Sequence, residues 1–364
     1  MKFQLLDILP HVTNPVTGRE VSVSERLNQA ITSARYAEQL GLDAVAIGER
    51  HAGKVISAGV TVVLGAIAAQ TSRIRIGSGV TVLSILDPVR VAEDYATLDQ
   101  LSRGRLEITI GKGNELKQLP MFGIEQGRQW DTMAENYALL HRLFREEDVT
   151  WSGTTRPPFV DLTALPRPYA GPPRVWHGSA TTATSAELAA RYGDPIISAN
   201  AIQPRENYVR LLEVYKEKYA SHGHAPEDQF IGAGAGFLYL ADTTQEAKEA
   251  FGPTYEAMVA YHLMPGNHTP GNEMTFRDID SAIARGPVLV GSPQQIAEKI
   301  LWWHEAYGHQ LQSFSLPTMI PHERQLEMLA RFASEVVPIV REAAPSRLWE
   351  RGLDPYATRP AFAV

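Results

Sequence analysis

Three polar residues, Glu49, Arg50 and His51, directly follow a short apolar run at residues 44–47. An apolar run of this length, bounded by turn residues, is typical of a buried strand, so the three side chains are expected at its carboxyl end. A carboxylate, a guanidinium and an imidazole that converge there are suited to orienting a substrate or transferring a proton. We therefore predict a catalytic group at residues 49–51. A polar cluster that satisfies itself and holds the loop is the alternative.

A second group has the residue types that bind an anion. Lys112 lies between two glycines after the apolar run 106–110, and a Gly-, Ser- and Thr-rich segment precedes a helical pattern at residues 185–192. Backbone amides before a helix, together with the helix dipole, favour a phosphate group. Thr184 and Glu187 have the spacing of a capping box. The predicted phosphate contacts are Lys112, Gly178, Ser179, Ala180 and Thr181. A capped helix without a ligand is the alternative.

Gly79 and Val80 lie within a β-branched run at residues 74–82. A glycine at a strand end lets a flat ring approach the backbone closely, because it has no Cβ. We predict that these two residues contact a ring-shaped cofactor. A simple strand bulge is the alternative.

Composition excludes several classes of function. The 364-residue chain carries a net charge of −7 and no basic stripe interleaved with aromatic residues, so no nucleic-acid partner is expected. It contains no Cys, which excludes disulfides, thiolate zinc sites and a cysteine nucleophile. No spacing typical of a metal site occurs. Neither a secretory leader nor a membrane-length apolar run is apparent, and we expect a cytoplasmic protein.

Short apolar runs alternate with helical patterns along most of the chain, which predicts parallel strands with helical crossovers. Eight such units favour an α/β fold of the (β/α)8 TIM-barrel type over an open sheet. We predict one barrel domain over residues 1–345 and a C-terminal tail over 346–364. Strands are predicted at 3–9, 44–47, 74–82, 106–110, 174–177, 195–198, 230–240 and 312–317, and helices at 25–40, 60–70, 89–101, 131–144, 185–192, 205–219, 294–307 and 323–341.

Two longer stretches interrupt the alternation, at residues 114–129 and 243–287. Both follow strands, so both are expected at the carboxyl face of the barrel, where barrel enzymes carry their active sites. The second contains a helical piece at 245–262 and a Gly/Pro/Asn-rich segment, and we predict that it forms a lid. A surface insertion without function is the alternative.

Several blocks, taken together, resemble the luciferase-like flavin-dependent monooxygenases, and the similarity extends over about residues 1–342. These blocks are GLDAVAIGERH, TSRIRIGSGV, DPVRVAEDYATLDQLSRGRLEITIGKG, GSATTATSAELAARYG and GSPQQIAEKILWWHEAYG. The resemblance implies a (β/α)8 barrel that binds FMN, often delivered in reduced form by a separate reductase, and a homodimer. A subset of the family uses a deazaflavin for hydride transfer.

The resemblance also assigns roles to residues. Lys112 matches the family's basic phosphate contact, commonly Arg, and Ser179 with its neighbours matches the phosphate loop. Gly79 and Val80 match the strand end against the flavin ring, where a non-proline cis peptide bond often occurs. This chain departs from luciferases at two positions. Arg50 replaces the first of two consecutive histidines, proposed there as a catalytic base, and Gly111 replaces a reactive cysteine.

These observations predict an FMN-dependent monooxygenase that uses reduced flavin and O2 on a small organic substrate. Three alternatives stay open. They are hydride transfer through a deazaflavin, a flavin-binding protein without turnover, and an isomerase that uses Glu49 and His51 as acid and base on a sugar phosphate.

Overall fold

The computed structural model describes residues 1–14, 17–180, 182–198, 203–263, 275–350 and 353–354. The strands in these ranges are β1 Lys2–Asp7, β2 Ala44–Ile47, β3 Arg75–Ser78, β4 Thr81–Val82, β5 Leu106–Gly111, β6 Val149–Trp151, β7 Phe159–Leu162, β8 Arg174–Ser179, β9 Ile196–Ser198, β10 Ile231–Leu240, β11 Leu289–Gly291 and β12 Leu311–Ser315. The α-helices are α1 Val23–Gln39, α2 Val60–Gln70, α3 Pro88–Ser102, α4 Gln129–Arg145, α5 Ala183–Tyr192, α6 Arg205–Ser221, α7 Thr244–Leu263, α8 Ile279–Ala284, α9 Pro293–Tyr307, α10 His322–Arg331 and α11 Val337–Ala343.

Eight of the strands close into a parallel barrel in the order β1, β2, β3, β5, β8, β9, β10 and β12, and β12 pairs back onto β1. The predicted (β/α)8 barrel is therefore confirmed, and each of its eight strands lies within or next to a predicted run. No helix among the described residues is long and apolar enough to cross a membrane.

Alternate side chains of each barrel strand point outward to the helices, because successive residues of a strand face opposite sides. Phe3, Val45, Ile108 and Phe314 are buried in this outer core with residues of the surrounding helices. The inner positions are therefore the residues between them. The alternation therefore separates the hydrophobic core between strands and helices from the barrel interior, which contains charged residues and glycines.

The barrel interior changes character from its amino-terminal to its carboxyl-terminal end. Near the amino-terminal end, Arg75 and Trp176 both donate to the Glu107 carboxylate, at 3.0 and 2.8 Å. Towards the carboxyl end, glycines occupy several inner positions. One of them, Gly178, has no room for a side chain, because a Cβ there would lie only 2.7 Å from a methyl carbon of Val80. The end of the barrel that carries active sites in this fold is thus lined largely by glycine backbone, together with the side chains of Leu6 and Val80.

The predicted strand at residues 74–82 is divided in the structure. It runs as β3 until Ser78, and the Gly79–Val80 peptide bond is cis. β4 then pairs with β5 nearer its carboxyl end, at Ile110 and Gly111. Gly79 and Val80 thus lie in a turn at the mouth of the barrel rather than inside a continuous strand.

The two insertions are helical where they are described. Residues 116–122 form a 3-10 helix after β5, and the stretch 243–287 contributes α7 and α8. The strand β11, which pairs with β10, follows directly after this stretch. The centre of the predicted lid, residues 264–274, lies outside the described residues. A small antiparallel hairpin, β6–β7, was not predicted and lies between α4 and β8.

Candidate active site

Glu49 and His51 come together at the carboxyl end of β2. The Glu49 carboxylate accepts the His51 Nε2 at 2.7 Å through one oxygen and the Val82 amide at 2.9 Å through the other. The Glu49 amide in turn donates to the Val80 carbonyl at 2.9 Å. Glu49 therefore braces the turn that contains the cis peptide bond, and at the same time it orients the His51 imidazole.

Arg50 points away from this pair. Its guanidinium donates to the Asn114 side chain at 2.9 Å, in the loop after β5. The structure thus brings Glu49 and His51 into one hydrogen-bonded unit and places Arg50 in a bridge between two loops of the mouth.

The Val80 side chain packs against Gly111 and Gly178. A Cβ on Gly111 would lie 2.9 Å, and one on Gly178 2.7 Å, from the Val80 methyl carbons. A Cβ on Gly48 would lie 2.6 Å from the Gly79 carbonyl oxygen. The turn can therefore approach β5 and β8 only because these positions lack side chains, and Gly111 is part of this packing.

An apolar wall borders the mouth next to Val80. Val82, Ile85 and Leu119 form a small buried cluster, against which Val80 packs. Leu119 belongs to the 3-10 helix at residues 116–122. Phe122 of the same helix contacts the His51 imidazole edge-on, with ring centroids 4.7 Å apart. The wall gives the mouth the apolar lining that is typical of small-molecule sites.

Lys112 lies at the carboxyl end of β5 and is half-buried. Its ammonium donates to the Gly113 carbonyl at 3.1 Å and lies 5.7 Å from the centroid of the Trp130 ring, within cation–π range. Burial lowers the pKa of Lys112. A cation in this partly desolvated position interacts more strongly with an anion than a surface lysine does.

Ser179 and the start of α5 lie beside Lys112. The register that pairs Ile110 with His177 places Lys112 next to Ser179 on the neighbouring strand. Ser179 is buried, and its hydroxyl oxygen lies 2.5 Å from the Ser185 hydroxyl oxygen, within hydrogen-bond distance. α5 begins at Ala183 without a side-chain cap. The Ser185 amide donates to the Thr182 carbonyl at 3.1 Å, and the amides before it are oriented towards a ligand at the helix N-terminus.

The predicted capping box at Thr184 and Glu187 is wrong. The N-cap residue of α5 is Thr182, two positions earlier. The Ser185 hydroxyl bonds back to Ser179 and to the Thr182 carbonyl, which starts the helix at that point. Of the predicted phosphate contacts, Gly178 packs on Val80, Ala180 lies at the mouth, and Thr181 lies outside the described residues.

Inward-facing residues of the barrel were missed by the sequence reasoning. The Thr109 methyl group would lie 3.5 Å from a Cβ on Gly178, so Thr109 faces the interior below the glycines. Ser313 lies on the inner side of β12. The alternation of side chains within each apolar run was the available signal. No group of three or more His, Asp or Glu side chains suited to a metal ion occurs in the described part of the chain.

Comparison with known proteins decides the family. A family model described as luciferase-like monooxygenase matches residues 2–310. The chain belongs to the luciferase-like monooxygenase family. It is accordingly an enzyme, a flavin-dependent monooxygenase, and the resemblance inferred from its motifs is confirmed.

Two curated relatives illustrate the range of this family. Limonene 1,2-monooxygenase of Rhodococcus erythropolis is 27% identical over 293 residues, which cover 78% of this chain and 73% of that protein. The alkanal monooxygenase alpha chain of Photorhabdus laumondii is 24% identical over 350 residues, which cover 90% and 96% of the two chains.

Solved structures share the luciferase-like fold. A monooxygenase from Streptomyces bottropensis superimposes with a TM-score of 0.80 at 28% identity, covering 93% of this chain and 99% of its own. The oxygenating constituent of 3,6-diketocamphane monooxygenase from Pseudomonas putida, solved with FMN, gives a TM-score of 0.73 at 21% identity, with 93% and 98% covered.

Proposed function

We propose that this monooxygenase binds reduced FMN at the mouth of its barrel and uses it with O2 to transfer one oxygen atom to a small organic substrate. The observation that carries the proposal is the position of Lys112 and the open N-terminus of α5 beside an interior lined by glycines. A phosphate group is bound by a cation and a helix N-terminus, and a flat ring needs the close approach to backbone that glycines allow. FMN requires both environments next to each other.

The residues present fit FMN. Lys112, Ser179 and the amides of α5 would hold the phosphate, and the backbone at Gly79 and Val80 would lie against the ring. When bound in reduced form, FMN supplies the two electrons with which dioxygen is activated. The apolar wall with Val82, Ile85 and Leu119 would keep water from that reaction, as a closed apolar site does.

Glu49 and His51 are proposed to transfer a proton to or from the bound substrate. The Glu49 carboxylate accepts from Nε2 of His51, which favours the tautomer with its free acceptor at Nδ1. An imidazole held this way is suited to take a proton from the substrate or return one to the product. Arg50, fixed on Asn114, is proposed to hold the mouth loops together or to steer the substrate.

Further features of the enzyme are proposed from its family. We propose a cytoplasmic homodimer that receives reduced FMN from a separate flavin reductase, with residues 1–345 as one barrel domain and 346–364 as its tail. Cross-linking and sedimentation test the dimer. Turnover with chemically reduced FMN, compared with turnover with an added reductase, tests the source of the cofactor.

FMN binding by the full chain under reducing conditions, followed by fluorescence, tests the proposal. Lys112→Ala removes a charge-assisted hydrogen bond of about 1.5–3 kcal/mol, so affinity should fall by about 10- to 150-fold. Lys117→Ala, at an exposed lysine of the same loop, is the control and should leave affinity unchanged. Because burial lowers the pKa of Lys112, FMN affinity should fall with rising pH earlier than expected for a surface lysine.

Absence of FMN binding at tens of micromolar, or equal affinity of Lys112→Ala and wild type, would reject the proposal. The same preparation separates the alternatives. Stopped-flow reduction with FMN and with a deazaflavin compares the two cofactors. Oxygen consumption no faster than autoxidation of free reduced FMN would indicate a binding role without turnover.

A further inference from the structure

Ser313 is a buried hydroxyl without a hydrogen-bond partner among the described residues. It is 2% exposed and lies on β12, beside Gln4 of β1 and Gly234 of β10. The next residue, Phe314, packs outward against Phe332, with ring centroids 4.6 Å apart. Ser313 therefore points into the barrel, because neighbouring residues of a strand face opposite sides.

The surroundings of Ser313 form the floor of the mouth. Inward side chains of a barrel stack in layers contributed by alternate strands. With the observed registers, Ser313 shares a layer with Ala46, Thr109 and Ile197. The layer above it holds Leu6, Gly79, Gly178 and Gly234. The hydroxyl thus lies directly beneath a layer in which three of the four inward residues are glycines.

No charged side chain belongs to this floor layer. The nearest inward charges, Arg75 and Glu107, lie towards the amino-terminal end and bind each other at 3.0 Å. In this layer, Ala46 and Ile197 are apolar, and Thr109 and Ser313 carry hydroxyl groups. A ligand that fits this floor has an apolar body and one neutral hydrogen-bonding oxygen.

We propose that Ser313 determines specificity by hydrogen bonding to a neutral ketone or alcohol oxygen of the substrate. The inference rests on the proposed flavin site, because it assigns the remaining space to the substrate. The proposed phosphate site lies between β5 and β8, and β12 stands four strands from β5 in the ring of eight. A flavin held there leaves the Ser313 side of the mouth to the substrate.

The test uses the full-length chain and two probes of the same shape, cyclohexanone and methylenecyclohexane, which differ by an oxygen in place of CH2. Their dissociation constants are measured with and without FMN, and FMN affinity is measured alone. Wild type should prefer cyclohexanone, and Ser313→Ala should reduce that preference by about 2- to 10-fold, as expected for one neutral hydrogen bond. FMN affinity should not change.

Ser198→Ala is the matched control. Ser198 is equally buried, but its hydroxyl already accepts the Gly234 amide at 3.3 Å. This variant should keep the ketone preference. Ser313→Ala should melt no lower than wild type when ligand-free, since it removes an unpaired hydroxyl.

Three results would overturn the proposal. They are a wild type that binds the two probes equally or not at all, a Ser313→Ala variant that retains the ketone preference, and one that loses FMN affinity while the preference persists. Failure of the flavin site is distinguishable, because wild type would then bind no FMN, whereas the ketone preference is also measured without it.

Discussion

At the scale of the residue, Val80 depends on two missing side chains. Gly178→Ala would place a Cβ 2.7 Å from a Val80 methyl carbon, and overpacking of this kind typically costs about 1–3 kcal/mol. Urea unfolding should show this loss, and FMN affinity should fall as the turn shifts. Val80→Ala combined with Gly178→Ala should recover most of the stability. If the single variant is as stable as wild type, the packing around Val80 differs from that described.

The contacts of a site residue could be predicted from the sequence when its partner lies nearby in the chain. Contacts between residues far apart in the chain could not. Glu49 and His51 are two positions apart, so a shared strand end sufficed to bring them together. That Arg50 turns to Asn114 depends on how two separate loops meet, which no local pattern encodes. Thr109 and Ser313 were missed because they are small residues inside apolar runs, and only the strand register reveals which side they face.

At the scale of the element, the link between α9 and β12 depends on a neutral histidine. His309 is fully buried, and its Nε2 lies 3.0 Å from the Gln312 carbonyl oxygen. The Gln312 side-chain nitrogen donates to the backbone carbonyls of Ala233 and Ser313, so the Gln312 side-chain oxygen faces His309 and His309 acts as the donor. Burial lowers the pKa of His309 to about 3.

This pKa predicts acid sensitivity with a defined sign. Below pH 6.5 the unfolded chain protonates His309 whereas the folded chain does not, so stability is lost as the pH falls from about 6.5 to about 3. His309→Gln cannot titrate and keeps a donor. Between pH 6.5 and 4.5 it should lose about 2–3 kcal/mol less than wild type in denaturant unfolding. His222→Gln, at an exposed histidine, should follow wild type. An unchanged pH slope in His309→Gln would contradict the assignment.

The main elements could be predicted because their patterns are local. Each barrel strand is a short apolar run, and α3 begins where Asp87 accepts the amides of Val89 and Arg90. The hairpin β6–β7 was missed, since its strands are only three and four residues long and form no extended apolar run. The strand end and cis peptide bond at Gly79 and Val80 were predicted only through the family resemblance, because the β-branched run itself continues through them.

At the scale of the whole molecule, the described residues of the C-terminal tail, 346–350 and 353–354, close the amino-terminal end of the barrel. The Trp349 indole donates to the Glu107 carboxylate at 2.8 Å, and Leu348 joins the buried cluster beneath Trp176. The Arg75 guanidinium lies 5.0 Å from the Trp349 ring. This packing could not be predicted, because the tail has no period and its binding surface exists only once the barrel has closed.

The tail also supplies the partner of a buried charge. The Arg174 and Asp354 side chains form an ion pair and are 1% and 0% exposed. Asp354→Ala leaves the guanidinium without this carboxylate, which typically costs about 3–5 kcal/mol. Glu350→Ala removes the half-exposed partner of Lys2, 2.6 Å away, and should cost less than about 1 kcal/mol.

Calorimetry and urea unfolding of both variants test the closure of the barrel by the tail. Asp354→Asn keeps an acceptor for the Trp349 amide, which lies 2.6 Å from the carboxylate, but removes the charge. Its stability should therefore fall between wild type and Asp354→Ala. Equal and small losses for Asp354→Ala and Glu350→Ala would mean that the tail adds little to the fold. A large loss confined to the Asp354 variants would mean that the charges inside the barrel require the tail to be stable there.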